Sequence, residues 1–325
     1  MKFGRKMGRK LAIMIFISLL ILAIGVAMAA PVQFISIATG GTGGTYFILG
    51  SGMSKIIEKY VPNVKVSVES TAASTENIRL LAAKKVQFAI VMPDGAYFGY
   101  NGGREFKDAK YPNLRSVMAG HSSPMHFMVK SNSGIKSFAD LKGKRVALSA
   151  PGSTAVFMAE STLEAYGLTK KDYKPLLLSY AEQADAIRDG TIDMACVFAG
   201  APASAALDLC TTQDITFLSV GPEELKKVLK IHPYCKEFVI KAGTYKGQNA
   251  DVKTFATSSI LITYAELEPE LVYAVAKAIL EHTPELKEVH PQGAEYDLAD
   301  ASEGVAIPLH PGAVKYLTEK GALKK

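Results

Sequence analysis

The sequence predicts an α/β fold of two similar lobes, each built on a parallel-rich sheet, with a hinged cleft between them. Three observations predict it. Short apolar runs alternate with amphipathic helical segments, this alternation occurs twice, and small residues fill the turns that follow the apolar runs. Alternating strands and helices make parallel sheets, and ligands of such sheets lie at the carboxyl ends of the strands.

The first 30 residues stand apart from this pattern. Lys2, Arg5, Lys6, Arg9 and Lys10 form a basic region, an apolar run extends from Leu11 to Ala30, and Ala27-Met28-Ala29 is a small-x-small cleavage site. This is the pattern of a cleavable export signal, which places the mature protein in the periplasm or otherwise outside the inner membrane. The alternative is an uncleaved anchor, since a run of about 20 apolar residues is long enough to span a bilayer. The net charge of +6 falls to about +1 once those five basic residues are removed. A nearly neutral mature chain lacks the basic footprint of a nucleic-acid binder.

The first repeat runs from Gln33 to about Tyr100, with strands at Phe34–Ala38, Lys65–Glu69 and Gln87–Met92. The first strand leads into Gly40-Gly-Thr-Gly-Gly-Thr-Tyr46, and then into a helix with Leu49, Met53, Ile56 and Ile57 at helical spacing. A glycine-rich turn entering a helix leaves outward-facing N–H groups that suit an anion. No lysine follows the loop until Lys55, which excludes a P-loop. Tyr46 stands where a dinucleotide fold needs its third glycine. Amides and hydroxyls without a fixed positive charge suit a carboxylate, so Thr42, Gly44, Thr45 and Tyr46 are the leading candidate contacts. Ser74 and Thr75 open the second helix as caps or contacts. Asp94, in the third turn, is a candidate acceptor for a ligand ammonium.

The second repeat runs from Lys144 to about Cys210, with strands at Arg145–Ser149, Pro175–Leu178 and Asp193–Phe198. Gly152, Ser153 and Thr154 form its counterpart of the glycine loop. Ser179 and Glu182 have capping-box spacing, and Gly167 and Gly190 sit where helices should stop. Tyr180 and Gly200 follow strand ends and are candidate contacts. Glu182 is a second candidate ammonium acceptor, and His126 lies near the first crossing between lobes.

Beyond Cys210 the reading continues with a strand at Ile215–Ser219 and an irregular stretch from His232 to Asn249. A strand at Thr254–Thr263 and one long helix at Glu268–Glu288 follow, with a tail that returns to the first lobe. The domain reading is a signal at 1–30, one lobe from 31–124 and 241–325, and the other from 125–240. Of the three cysteines, Cys196 reads as a buried apolar residue, while pairing of Cys210 with Cys235 stays open. No nucleophile elbow and no His-Glu-x-x-His helix is present, and the six histidines lack metal-ligand spacing. No catalytic residue, metal or cofactor is expected.

From about Ile35 to its end the chain resembles the TAXI-type solute-binding proteins of TRAP transporters. The resemblance rests on Thr39-Gly-Gly-Thr-Gly-Gly-Thr-Tyr46, Glu76-Asn-Ile-Arg-Leu-Leu-Ala-Ala83, Ala150-Pro-Gly-Ser153, Gly243-Thr-Tyr-Lys-Gly-Gln248 and Ile307-Pro-Leu-His-Pro-Gly312. The segment from Ser133 to Arg145 also matches. The resemblance implies a type II periplasmic-binding-protein-like receptor that closes over a glutamate-like amino acid or a dicarboxylate. It further implies delivery of that solute to the membrane subunits of a TRAP transporter. Two departures fall in cleft loops: Met92 where the family often carries Gln, and Ala72-Ala73 where it usually carries Gly-Gly. A monomer is expected. An enzyme or a sensor on the same scaffold, acting on a small organic acid, is the alternative.

Overall fold

The computed structural model describes residues 31–324, so the export signal read at 1–30 lies outside the described residues. The first repeat forms β1 (Gln33–Ala38), α1 (Thr45–Tyr60), β2 (Val64–Glu69), α2 (Ser74–Ala82), β3 (Phe88–Val91) and α3 (Pro93–Asn101). The second forms β5 (Arg145–Ala147), α4 (Ala155–Ala165), β6 (Lys174–Leu176), α5 (Tyr180–Arg188), β7 (Met194–Phe198) and α6 (Ser204–Thr212). All four residues of β3 and all five of β7 are buried, as expected of strands covered on both faces. The Ser179–Glu182 capping box forms, and Gly167 and Gly190 adopt the positive φ that ends their helices.

Between the repeats runs β4 (Leu114–Lys130), a strand of 17 residues that the sequence reading did not contain. After α6 come β8 (Ile215–Phe217), α7 (Pro222–Ile231), β9 (Cys235–Ile240) and β10 (Val252–Tyr264). The stretch read as irregular from His232 to Asn249 therefore holds a strand, which pairs with β10 from Val252↔Ile240 to Thr257↔Cys235. The expected single helix at Glu268–Glu288 is two, α8 (Pro269–Glu281) and α9 (Thr283–Val289), followed later by α10 (Pro311–Glu319). The break falls at Thr283-Pro284, where proline supplies no N–H and its ring would clash with the carbonyl of Leu280 in a continuous helix.

The strands hydrogen-bond in the order β2-β1-β3-β10-β4-β7-β5-β6, with β8 added to β4 and β9 to β10. β1 and β3 are parallel, as are β5, β6 and β7, and the two long strands β4 and β10 run antiparallel between these groups. One apolar core gathers residues of 35–118 and 260–322. Two others gather residues between Met92 and Phe255. The chain thus passes between lobes inside β4 and again inside β10. Ile240, Tyr245 and Val252 pack in the second lobe, so the return begins within β10, later than residue 241.

The β4–β10 register shifts between Ser258 and Ile260, opposite Ala119–Ser122, where both strands cross. At Gly120 an added Cβ would stand 2.5 Å from the Tyr296 ring, so the hinge backbone lies directly against an aromatic side chain. The tail closes the first lobe. His310 N–H donates to Ser116 O, Ser116 N–H donates to Pro308 O, and the His310 ring accepts from Gly312 N–H at the start of α10. Cys196, Cys210 and Cys235 are all free, so the open Cys210–Cys235 pairing is not made.

Candidate ligand-binding site

The strand-end turns of both repeats meet in a cavity of about 40 Å³ between the lobes. Its wall is built largely from helix beginnings. Thr45 and Tyr46 open α1, Ala73 and Met92 are the N-cap residues of α2 and α3, and Ser179 and Tyr180 begin α5. Ser153 immediately precedes Thr154, the N-cap of α4. The beginnings of five helices thus border one small space, where their positive dipole ends and the first-turn N–H groups not taken by caps favour an anion. No charged side chain lines it. Ala72, Met92, Ala150, Phe198 and Ala199 supply apolar surface.

The lobes touch around this cavity. Thr45 Oγ1 donates to Gly200 O at 3.1 Å, and Ala205 N–H donates to Gly43 O at 3.1 Å. Gly152, held at φ 85°, brings its Cα close to Ala72 of the other lobe, where an added Cβ would lie 3.6 Å from the Ala72 Cβ. Farther along the same interface Asp94, Arg104, Glu105 and His232 form a buried polar cluster. Arg104 reaches Asp94 Oδ2 at 3.3 Å, Thr75 and Thr154 donate to Glu105 Oε1 at 3.1 and 3.5 Å, and His232 Nδ1 lies 3.9 Å from Asp94. Burial pushes the Asp94 carboxyl up to about 6, with Arg104 pulling against it. Burial lowers His232 to about 4, so its ring is neutral at neutral pH.

Of the residues singled out in the sequence, Gly44, Thr45, Tyr46, Ser153 and Tyr180 line the cavity. Thr42 borders a groove outside it. Ser74 accepts from Met92 N–H at 3.0 Å, and Thr75 and Thr154 hold Glu105, so all three order the wall from behind. Gly152 and Gly200 serve the contact between lobes. Asp94 is 3% exposed and engaged by Arg104 and by Gly95 N–H, so it does not face the cavity. Glu182 is exposed and accepts from Ser179 N–H as a helix cap. His126 is packed inside the second lobe, hydrogen-bonded to Val197 O and Tyr245 Oη, and desolvation lowers it to about 4. None of these last three lines the cavity, and each already has hydrogen-bond partners elsewhere.

The sequence reading missed Arg104, Glu105, Ser149, Phe198 and Ala199. Phe198 ends the predicted strand Asp193–Phe198 and Ala199 opens the turn after it, so both carried a positional signal. Arg104 and Glu105 follow α3 in an irregular segment and carried none.

Tyr46 has a divided role. Its ring lines the cavity and meets the His121 ring edge-on at 5.4 Å. Its Oη is buried beside the Ser123 Oγ of the hinge strand, the two hydroxyls making no well-formed hydrogen bond, and burial raises the phenol pKa well above the ordinary range. A buried hydroxyl that makes no hydrogen bond costs stability. Tyr46→Phe is therefore expected to leave stability unchanged or raise it by about 1 kcal/mol in thermal unfolding without ligand. A clear loss would mean that a buried water holds the phenol.

A model of the NMT1-like family matches residues 37–321. Among solved structures, the chain is similar to PhnD1 from Prochlorococcus marinus in complex with methylphosphonate. Identity is 12%, with 82% of this chain and 91% of that one covered and a TM-score of 0.53. It is also similar to the alkanesulfonate-binding protein SsuA from Xanthomonas axonopodis pv. citri bound to MOPS, at 17% identity over 91% and 96% of the two chains, TM-score 0.51. A third is a binding protein component of an ABC phosphonate transporter from Pseudomonas aeruginosa, at 14% identity over 81% and 79%, TM-score 0.52. These likenesses show the fold: two α/β lobes, hinged, around a mixed sheet.

Proposed function

The chain belongs to the NMT1-like family, and from that premise we propose that it is an extracytoplasmic receptor that closes two lobes over a small anionic solute. The observation that carries this reading is the cavity wall, in which five helix beginnings converge and no charged side chain takes part. Preorganised amides and dipoles hold an anion without a counter-charge. The similar folds named above include proteins described as bound to MOPS and in complex with methylphosphonate, which agrees with a small anionic solute. The export-signal pattern of residues 1–30 supports an extracytoplasmic site of action.

The finer reading is a carboxylate delivered to a TRAP-type transporter, and it rests on the motif resemblance. The glycine loop of that resemblance forms the first wall of the cavity, while Ile307–Gly312 closes the first lobe at a distance from it. The moving bodies of this reading follow the expected limits of 31–124 with 241–325, and 125–240, except that residues 241–252 go with the second lobe, whose core holds Tyr245 and Val252. An enzyme on this scaffold would need an acid–base pair at the ligand, and neither a carboxylate nor a histidine is among the lining residues.

The test is the melting temperature of the exported protein against small carboxylates, phosphonates, sulfonates and neutral sugars. A ligand at about 100 times its dissociation constant is expected to add roughly 2.7 kcal/mol of stability. Stabilisation by anions supports the reading. Stabilisation by sugars alone overturns it.

A further inference from the structure

We infer that the solute held in this cavity is a compact anion that carries no ammonium group, an inference that rests on reading the cavity as the solute site. No carboxylate lines the wall, and five of its backbone carbonyls already accept a hydrogen bond. Gly40 O accepts from Ser70 Oγ, Gly41 O from Gly44 N–H, Ala150 O from Ser153 N–H, Ser179 O from Gln183 N–H and Phe198 O from Tyr180 Oη. Ser153 Oγ and Ser179 Oγ each accept a backbone N–H, from Ala155 and Glu182, which leaves their hydroxyl hydrogens to point at a ligand.

The nearby carboxylates stand behind the wall, not among its lining residues, and each already accepts at least one hydrogen bond, although Glu105 Oε2 has no partner. Glu76 Oε2 accepts from Ala72 N–H at 2.6 Å, Asp94 is engaged by Arg104 and Gly95, and Glu105 Oε1 by Thr75 and Thr154. A ligand ammonium would enter a space bordered by helix beginnings with no carboxylate among the lining residues, and an unpaired buried charge is strongly disfavoured. Turning Asp94 toward it would strip Arg104 of its partner. The cavity volume of about 40 Å³ has room for on the order of three water molecules, which favours a short acid. Its apolar wall at Met92, Phe198 and Ala199 then takes the hydrocarbon end.

Matched pairs test this: propionate against alanine, and glutarate against glutamate, each pair differing by the ammonium. Isothermal titration of the exported protein is expected to show binding of at least one amine-free acid, with its amino counterpart about 100-fold weaker or undetectable. The Asp94→Asn variant is expected to keep the same discrimination. An amino acid that binds as tightly as its amine-free partner, or that loses binding in Asp94→Asn, overturns the inference and leaves the anion-receptor reading intact. Silence toward both pairs and toward methylphosphonate and ethanesulfonate overturns both.

Discussion

Gly312→Ala is expected to destabilise the protein by about 1–3 kcal/mol or more, the usual range for forcing extra volume into a packed interior. A Cβ at this position would stand 2.1 Å from the carbonyl oxygen of Pro269 and 2.8 Å from the backbone nitrogen of Tyr273, both on α8. These are backbone atoms, so relief requires moving one helix against the other. The residue is the second of α10, just after His310 ties the tail to β4, so a shift there would also pull on that tie. Thermal unfolding measures the effect at about 2–4 °C per kcal/mol for a chain of this size. An unchanged melting temperature would mean that α8 and α10 do not pack at this distance.

Gly43→Val is expected to spare the fold and weaken ligand binding by about tenfold or more, a cost of about 1.4 kcal/mol per factor of ten. Gly43 lies on one lobe, and a Cβ there would meet Ala181 N at 3.1 Å and Ala205 Cβ at 3.2 Å on the other. Two further methyl groups have no room while the lobes are together. Each lobe alone is undisturbed, so the penalty falls only on the closed state, and apparent affinity drops with the fraction of protein able to close. Calorimetric titration beside a melting curve without ligand separates the two effects. Loss of stability without loss of affinity would show that Gly43 is needed for folding, not for closure.

Much of this architecture was legible because its strands are short, apolar and separated by amphipathic helices. The run Phe88–Val91 and the helix bearing Leu49, Met53, Ile56 and Ile57 could hardly be read otherwise. β4 was not legible. It contains Ser116, His121, Ser122, Ser123, Pro124 and His126, yet 14 of its 17 residues are buried, because neighbouring strands, the tail and side chains such as Tyr296 surround it. A strand covered on both faces and rich in polar residues shows neither alternation nor a continuous apolar run. The break at Pro284 was available in the sequence and was overridden by the apolar periodicity before it.

At the site, the glycine loop was readable from composition alone. The assignment of Asp94 and Glu182 to a ligand ammonium meets a physical obstacle, because both carboxylates already have partners. A carboxylate near a helix start looks the same whether it faces a solute or is held by a capping amide or an arginine ten residues away. Arg104 and Glu105 join residues of both lobes, Arg104 meeting Asp94 and the Phe157 ring, and Glu105 meeting Thr75 and Thr154. Sequence spacing does not encode such a meeting.

The two crossings inside β4 and β10 also set an order of assembly. The second lobe is almost one continuous stretch, and its core residues lie between Met92 and Phe255. The first lobe is not. Its sheet needs Ile260–Ile262 of β10 beside Ala89–Val91 of β3, and its core draws on residues as late as Ala322. A chain that leaves an export channel amino end first therefore presents the first half of its first lobe to solvent, with the apolar faces of β1, β3 and α1 incomplete. That lobe can be sealed only after the carboxyl-terminal helices arrive. Its native contacts span the longest sequence separations in the molecule, which makes its closure the slow step and its early half the segment most exposed to aggregation in transit.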